Sequence, residues 1–312
     1  MTRNFAITGV GGFVAARHLK AISATGHRLV AAVDPHDAVG VLDQYSFDVR
    51  FFTEFGRFDR HLEKLRRGSD AERVHYLSIC SPNYLHDAHI RLALRVGAHA
   101  ICEKPLVINP WNLDALQELE RETGTRISTV LQLRLHPAVV AFRETLLSDT
   151  RRHQVTLTYI TARGPWYDVS WKGSEERSGG LVTNIGIHFF DLLLWLFGPL
   201  QRSAVHLREP KRAAGSLELA RADVRWLLST DRSDLPSDAA SQSRTTFRSM
   251  SVDGKLLEFS DGFNDLHTRI YEEILAGRDF GIDDARPSIE LTHAIRHAPL
   301  TAPAAAGTVL DA

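Results

Sequence analysis

Along the first 135 residues, short apolar runs ("FAITGV", "RLVAAVD", "HYLSICSP", "AHAICEKP", "RISTVLQL") are separated by helix-length amphipathic stretches, the first being "AARHLKAISATG". Strand-length apolar runs alternating with helical periodicity predict βαβ units and a parallel sheet. A helical segment over residues 137–147 follows, and the texture then changes. "HQVTLTYITARG", "QRSAVHLRE", "SLELARADVRWLLST", "TTFRSMSVDG" and "KLLEFSDG" alternate apolar and polar positions, the pattern of antiparallel strands with one solvated or partner-covered face. Two further helices are predicted. One begins in "GGLVTNIGIHFFD", residues 179–191, and the other covers residues 264–276 and stops at Gly277. The tail "APLTAPAAAGTVLDA" is poor in core-forming residues and is expected to be loosely held. The fold expected is α/β: a dinucleotide-binding domain over residues 1–135, then an α/β domain over 136–312 built on a large, open-faced, mainly antiparallel sheet.

Composition narrows the function classes. With 37 basic and 38 acidic residues the net charge is −1, and no basic run is long enough to follow a phosphate backbone, so nucleic-acid or membrane-surface binding finds no support. Two cysteines, Cys80 and Cys102, sit beside apolar runs as buried thiols would and point to a reducing compartment. No signal peptide or membrane-spanning run is read, which makes the expected location cytoplasmic.

The turn after the first apolar run, "GVGGFVAARH", holds Gly9, Gly11, Gly12 and Ala15. Glycines there let a pyrophosphate approach the backbone N–H groups at a helix start, and a small third residue lets the helix pack on the strand. A strict G-x-G-x-x-G/A reading from Gly9 would put Val14 at the small position; Gly9-x-x-Gly12-x-x-Ala15 restores it. Asp34 ends the second run, 22 residues beyond Gly12. A carboxylate in that place bonds the ribose hydroxyls and repels a 2′-phosphate, so NAD is expected over NADP. "SPNYLH" (residues 81–86) and "CEKPL" (102–106) each follow an apolar run, which puts both at the carboxyl edge where open α/β sheets bind ligands.

The Glu-Lys-Pro at 103–105, with Asn184, His188 and Asp191 downstream, resembles the glucose–fructose oxidoreductase / inositol dehydrogenase (Gfo/Idh/MocA) family over nearly the whole chain. Within it the chain is most similar to the UDP-N-acetylglucosaminuronate 3-dehydrogenases of O-antigen and lipopolysaccharide sugar synthesis. The segments that carry this are "FFTEF", "SICSPNYLH", "ICEKPLV", "LQLRLH", "TYITARGPWY", "SWKG", "TNIGIHFFD" and "YEEILAGRDFGIDDAR". The resemblance implies a Rossmann domain with NAD, a second domain whose sheet makes subunit contacts in a homo-oligomer, a tetramer by preference, and a small nucleotide-sugar substrate. It assigns Lys104 and His188 as the catalytic pair. Expected cofactor contacts are Gly9, Gly11, Gly12, Phe13, Val14, Asp34, Ser81, Pro82, Asn83, His86, Glu103, Lys104 and Gln132. His86 reads equally well as helix surface. Many relatives carry Asp where this chain has Asn184, which leaves proton chemistry to His188 and Lys104.

The residues themselves fit that assignment. Oxidising a secondary alcohol needs a base near neutral pH, which an imidazole supplies untuned, and an ammonium that steadies the developing alkoxide. On a helix Asn184, His188 and Asp191 fall at i, i+4 and i+7 and share a face; Asp191 reads as a structural partner. A uronate on a UDP carrier would call for cations beside aromatic and hydroxyl groups. Arg163, Trp166, Tyr167, Trp171, Lys172 and Thr183 are the candidates, with Asn184, His188 and Lys104. Lys172 is slightly favoured for the carboxylate. Cys80, Cys102 and the pairs His18/Arg17 and His36/Asp37 lack metal-ligand spacing, so no metal is expected. A dehydrogenase of inositol- or glucose-type substrates, and a non-catalytic dinucleotide sensor, stay open on the residues alone.

Overall fold

The structure is a computed structural model that describes residues 2–46, 48–259 and 265–302. In chain order the elements are β1 (Asn4–Thr8), α1 (Ala15–Ala24), β2 (Arg28–Val33), α2 (Val39–Leu42), β3 (Arg50–Phe52), α3 (Phe55–Arg66), β4 (Tyr76–Ile79), α4 (His86–Arg95), β5 (His99–Cys102), α5 (Trp111–Thr123), β6 (Ile127–Thr129) and α6 (Pro137–Leu147). Then come β7 (His153–Thr161), α7 (Pro165–Val169), α8 (Glu175–Ser178), α9 (Ile187–Phe197), β8 (Leu200–Arg208), β9 (Arg212–Leu219), β10 (Ala222–Ser229), α10 (Ser237–Ser241), β11 (Thr246–Val252), β12 (Lys255–Leu256), α11 (Leu266–Leu275) and α12 (Ile282–His297). The chain forms two compact units, Met1–Gln132 with Asn264–Arg286, and Leu133–Phe263 with Pro287–Ala312.

In the first unit the sheet order is β3-β2-β1-β4-β5-β6, and every pairing is parallel. Strands covered on both faces read as continuous apolar runs, and β1 is buried throughout. The order reverses between β1 and β4, so the crevice for a ligand opens at their carboxyl ends. The glycine turn and the Ser81–Asn83 turn leave the sheet there. The short β3, only "RFF", gave no readable pattern. The return of residues 264–286 to this unit, against the predicted boundary near 135, comes from α11. Its buried face of Leu266, His267, Ile270, Tyr271 and Ile274 packs on α1. Asn264, where that helix was expected to begin, lies outside the described residues.

In the second unit the sheet order is β12-β11-β7-β10-β9-β8. It is mainly antiparallel as expected, except that β7 and β10 run parallel at its centre. The alternating run from Ser216 divides at Ala220–Arg221 into the hairpin β9–β10, because alternation carries no mark of a reversal. Helix α9 covers the sheet. Phe190 meets Trp226 of β10 edge to face at 5.2 Å, and each fully buried Leu or Phe contributes on the order of 1.5–3 kcal/mol. Gly186 leaves no room for a side chain, since a Cβ would lie 2.6 Å from Leu228 Cδ1 and 2.8 Å from the Phe190 ring.

Two expectations need correction. The stretch Glu175–Phe197 is long and apolar enough to cross a membrane by composition, but 67% of its most apolar window is buried, as a core helix is. The described start of the tail is also tied down: Leu300 bridges Val205, and Thr301 N–H donates to Val205 O at 2.8 Å. Residues 303–312 lie outside the described residues.

Candidate active site

The cofactor edge is built on backbone geometry. Gly9 sits at φ +73°, and a Cβ there would come 2.6 Å from Cys80 O, so only glycine fits the crossing of the two turns. Gly12 N–H donates to Gly9 O at 2.9 Å and Ala15 N–H to Gly12 O at 3.1 Å, closing the turn into α1. Ala15 is fully buried while Val14 is half-exposed, which decides the glycine reading in favour of Gly9-x-x-Gly12-x-x-Ala15. Gly11, Gly12 and Phe13 are exposed at the crevice, and the Arg17 guanidinium lies 5.7 Å from the Phe13 ring centre.

Asp34 is buried behind this turn. Its Oδ2 accepts Gly11 N–H at 2.9 Å and its Oδ1 accepts His36 N–H at 2.9 Å. Each carboxylate oxygen keeps a second lone pair, so the group still offers two acceptors, as a vicinal diol requires. The side-chain-free glycine cradle and these acceptors fit a dinucleotide.

Around the neighbouring turns, Ser81 Oγ lies 2.8 Å from His89 Nδ1, and Asn83 is buried. Gln132 is 8% exposed, with Oε1 buried and without a partner among the described residues. His86 requires a correction: it is 1% exposed, not helix surface. Its Nδ1 stands 2.7 Å from Pro105 O and its Nε2 2.9 Å from Ser81 O; burial lowers its pKa, and the neutral ring donates its one N–H to one of these two carbonyls, so both ring nitrogens face the fold. Glu103 likewise turns inward. Its Oε1 lies 3.1 Å from both His18 Nε2 and His267 Nε2, and its Oε2 accepts Lys104 N–H at 3.2 Å. The side chain is therefore engaged within the fold. His18, Glu103 and His267 bring ligand-capable atoms within 4.8 Å of one another, a grouping that sequence spacing did not disclose. Cys80 and Cys102 are free and buried, and burial raises both thiols well above their ordinary range, which makes them inert. Lys104 itself is half-buried.

In the second unit the helix after Gly179 starts with a π-helical turn, Val182–Gly186, before α9. Such turns often mark functional positions. From Leu181 to Leu194 every residue is buried except Asn184 and His188, which are half-buried. Asp191, three residues beyond His188 within α9, has its partner inside the fold. It is buried, and it forms a two-pronged ion pair with Arg134, Nη2 to Oδ1 at 2.7 Å and Nε to Oδ2 at 3.0 Å. Asn184 Nδ2 donates to Tyr167 Oη at 2.9 Å; burial raises the Tyr167 phenol, and the Asn184 hydrogen bond opposes this. Arg163 lies 6.0 Å from the Tyr167 ring centre. Lys172 Nζ lies between two indoles, 5.5 Å from the Trp166 and 5.6 Å from the Trp171 ring centre, a cation–π arrangement. Burial lowers its pKa, and Arg163 adds to the effect. Thr183 is fully buried with no partner for Oγ1 among the described residues. It is pressed against Gly179, where a Cβ would come 2.5 Å from Thr183 Cβ.

Residues 3–130 match the family model for the oxidoreductase family with an NAD-binding Rossmann fold (Gfo/Idh/MocA), and residues 152–231 match that family's C-terminal α/β domain. The chain belongs to the Gfo/Idh/MocA oxidoreductase family. Its first unit is an NAD-binding Rossmann domain. Among solved structures, this Gfo/Idh/MocA chain is similar to the WlbA (WbpB) dehydrogenase of Thermus thermophilus in complex with NAD and UDP-GlcNAcA: 51% identity, 97% of each chain covered, TM-score 0.93. The same Thermus protein in complex with NAD and alpha-ketoglutarate superposes with a TM-score of 0.94. Among curated proteins it is 27% identical over 201 residues to the inositol 2-dehydrogenase of Rhizobium meliloti, covering 64% of this chain and 56% of the relative. The chain spans about half the length of the curated relatives it matches.

Sequence reasoning missed Arg134, His18, His267 and Tyr271. A signal was present for His18, which occupies an apolar position in the α1 pattern beside Leu19 and Ile22. Nothing local links Arg134 to Asp191, 57 residues away.

Proposed function

We propose that this protein is an NAD-dependent sugar dehydrogenase that oxidises the 3-hydroxyl of UDP-N-acetylglucosaminuronic acid to the 3-keto sugar. The observation that carries the reading is the 51% identity, over 97% of both chains, with a dehydrogenase crystallised with NAD and that sugar. Two features of this chain agree with it. One is that Asn184 and His188 are the two half-buried residues in the otherwise buried run Leu181–Leu194. The other is the cluster of Arg163 and Lys172 among Trp166, Tyr167 and Trp171.

When bound, NAD supplies the hydride acceptor. The chain's own residues handle the proton and the charge. His188 takes the proton from the sugar hydroxyl as its carbon gives up hydride, and the Lys104 ammonium stabilises the alkoxide that develops. Asn184, where many relatives carry an acid, hydrogen-bonds the sugar and takes no proton. Lys172 pairs with the uronate carboxylate, and Asp34 holds the adenosine ribose. Return of NADH to NAD by a 2-oxo acid, reduced to its 2-hydroxy acid, belongs to the same proposal and is supported by the relative's complex with alpha-ketoglutarate. So do a role in O-antigen and lipopolysaccharide sugar synthesis, a homotetramer and a cytoplasmic location, all carried by the resemblance.

The test is NADH formation on a panel of UDP-sugars and free polyols. A cation built to meet a carboxylate is left unpaired by the neutral sugar, so UDP-N-acetylglucosaminuronate should far outpace UDP-N-acetylglucosamine. Equal rates refute the carboxylate site, and activity confined to inositol or free sugars replaces the substrate assignment.

A further inference from the structure

The reaction proposed above makes no use of the buried group around Glu103, yet that group is among the most completely wired in the first unit. Glu103 is 6% exposed and His18 is not exposed at all. A carboxylate so buried survives ionised only with several donors aimed at it. Glu103 has three: His18 Nε2 and His267 Nε2, each 3.1 Å from Oε1, and the Lys104 N–H, 3.2 Å from Oε2. Burial pushes its pKa up, and the two histidines outweigh that and hold it well below the usual carboxylate range.

The proton positions follow from the partners. If His18 carries its proton on Nε2 to serve Glu103, its Nδ1 must accept, and Tyr271 Oη stands there at 2.8 Å. Tyr271 then donates to His18, so Ser78 Oγ, 2.6 Å away, donates to Tyr271. One directed chain runs from the central strand β4 through α11 and α1 and ends at Glu103, on which the Lys104 N–H converges from the other side. Burial lowers the pKa of His18, in keeping with a neutral ring. On the other side of the loop His86 holds Pro105 O. The main chain on either side of the Lys104 side chain is thus clamped by buried groups.

We propose that His18 and His267 are positioning residues: by donating to Glu103 they fix the peptide of Lys104 and so aim its ammonium. The kinetic consequence rests on the reading of Lys104 as the group that stabilises the alkoxide; the clamp itself does not.

The test uses the full chain with NAD bound. In His267→Leu the Lys104 amide should exchange its hydrogen about tenfold faster or more. Turnover on UDP-N-acetylglucosaminuronate should fall by about tenfold or more with KM little changed, while the NAD Kd stays within about threefold. His267→Gln, which returns an N–H donor to the same place, should recover most of both losses, which a merely structural role would not predict. Unchanged exchange at Lys104, or no recovery in His267→Gln, overturns the proposal. Nitrogen NMR of the unaltered protein gives a second reading that needs no variant: both rings should carry a proton on Nε2 and His18 Nδ1 should be bare, and an unprotonated Nε2 on either ring, or a protonated Nδ1 on His18, refutes the donor chain. Elemental analysis completes the test, since one divalent ion per chain, lost on either substitution, would make the cluster a metal centre instead. If the protein oxidises no nucleotide sugar while the exchange result holds, it is the substrate reading that has failed and not the clamp.

Discussion

Replacing Asp191 by Leu separates a structural acid from a catalytic one on the helix that carries His188. The pair it forms with Arg134 is buried on both sides, with side-chain exposures of 4% and 7%, and is held by two short bonds. Removing one partner of such a pair leaves a charge in a low-dielectric interior and costs about 3–5 kcal/mol. The cost falls on a unit of roughly 150 residues, where about 1 kcal/mol moves the midpoint by roughly 2–4 °C, so the melting temperature of that unit should drop by on the order of 10 °C. Replacing both partners, Asp191→Leu with Arg134→Met, removes the stranded charge and should recover most of the loss, because apolar groups of similar volume often substitute for a buried pair at no net cost. The assay is urea and thermal unfolding of the wild type, the two single variants and the double variant. A coupling energy above about 2 kcal/mol is expected, and additive losses would refute the argument. NADH production scaled to the folded fraction should stay within about tenfold of wild type in the double variant. A far greater loss at full folding would make Asp191 part of the proton chemistry.

Asp34→Ala should weaken NAD more than NADP, because the carboxylate both accepts from the ribose diol and repels the 2′-phosphate; equal cofactor preference in the unaltered protein, measured by fluorescence titration, would count against it. His188→Asn should lower turnover by about a hundredfold or more with NAD binding near normal, and turnover that survives would mean that the proton leaves by another route. The first unit should lose stability as the solution turns acid. His27, His75 and His99 accept the backbone N–H of Arg3, Asn4 and Arg126 through Nδ1. All three have pKa values lowered from 6.5, chiefly by burial and then by nearby cations, and burial takes His89 down to about 3. A lowered folded pKa means that the unfolded chain binds more protons, so the stability these groups contribute is complete above their unfolded value near 6.5 and is lost as pH falls through the folded values. Urea midpoints that stay flat between pH 7 and pH 5 would contradict this.

The pattern of apolar runs by itself determined the two-part architecture, the parallel sheet and most of the strands, because burial on two faces or on one leaves a direct imprint on local sequence. It also fixed the cofactor turn. A positive-φ position crossing another strand's backbone admits only glycine, and an acid at the end of β2 has few other uses. Lys104 and His188 became candidates through the family resemblance, which rests on local motifs, Glu-Lys-Pro in one case and a polar pair on an apolar helix in the other. What only the tertiary structure decided is where the remaining polar groups point. Asp191 shares the helical spacing of Asn184 and His188, and only the structure shows that its partner is Arg134, 57 residues away. Glu103 sits beside Lys104 in sequence but turns away into a network with His18 and His267, up to 164 residues distant. Local periodicity records how much of a residue is buried. Which partner satisfies a buried charge is settled only when chain segments far apart in sequence meet.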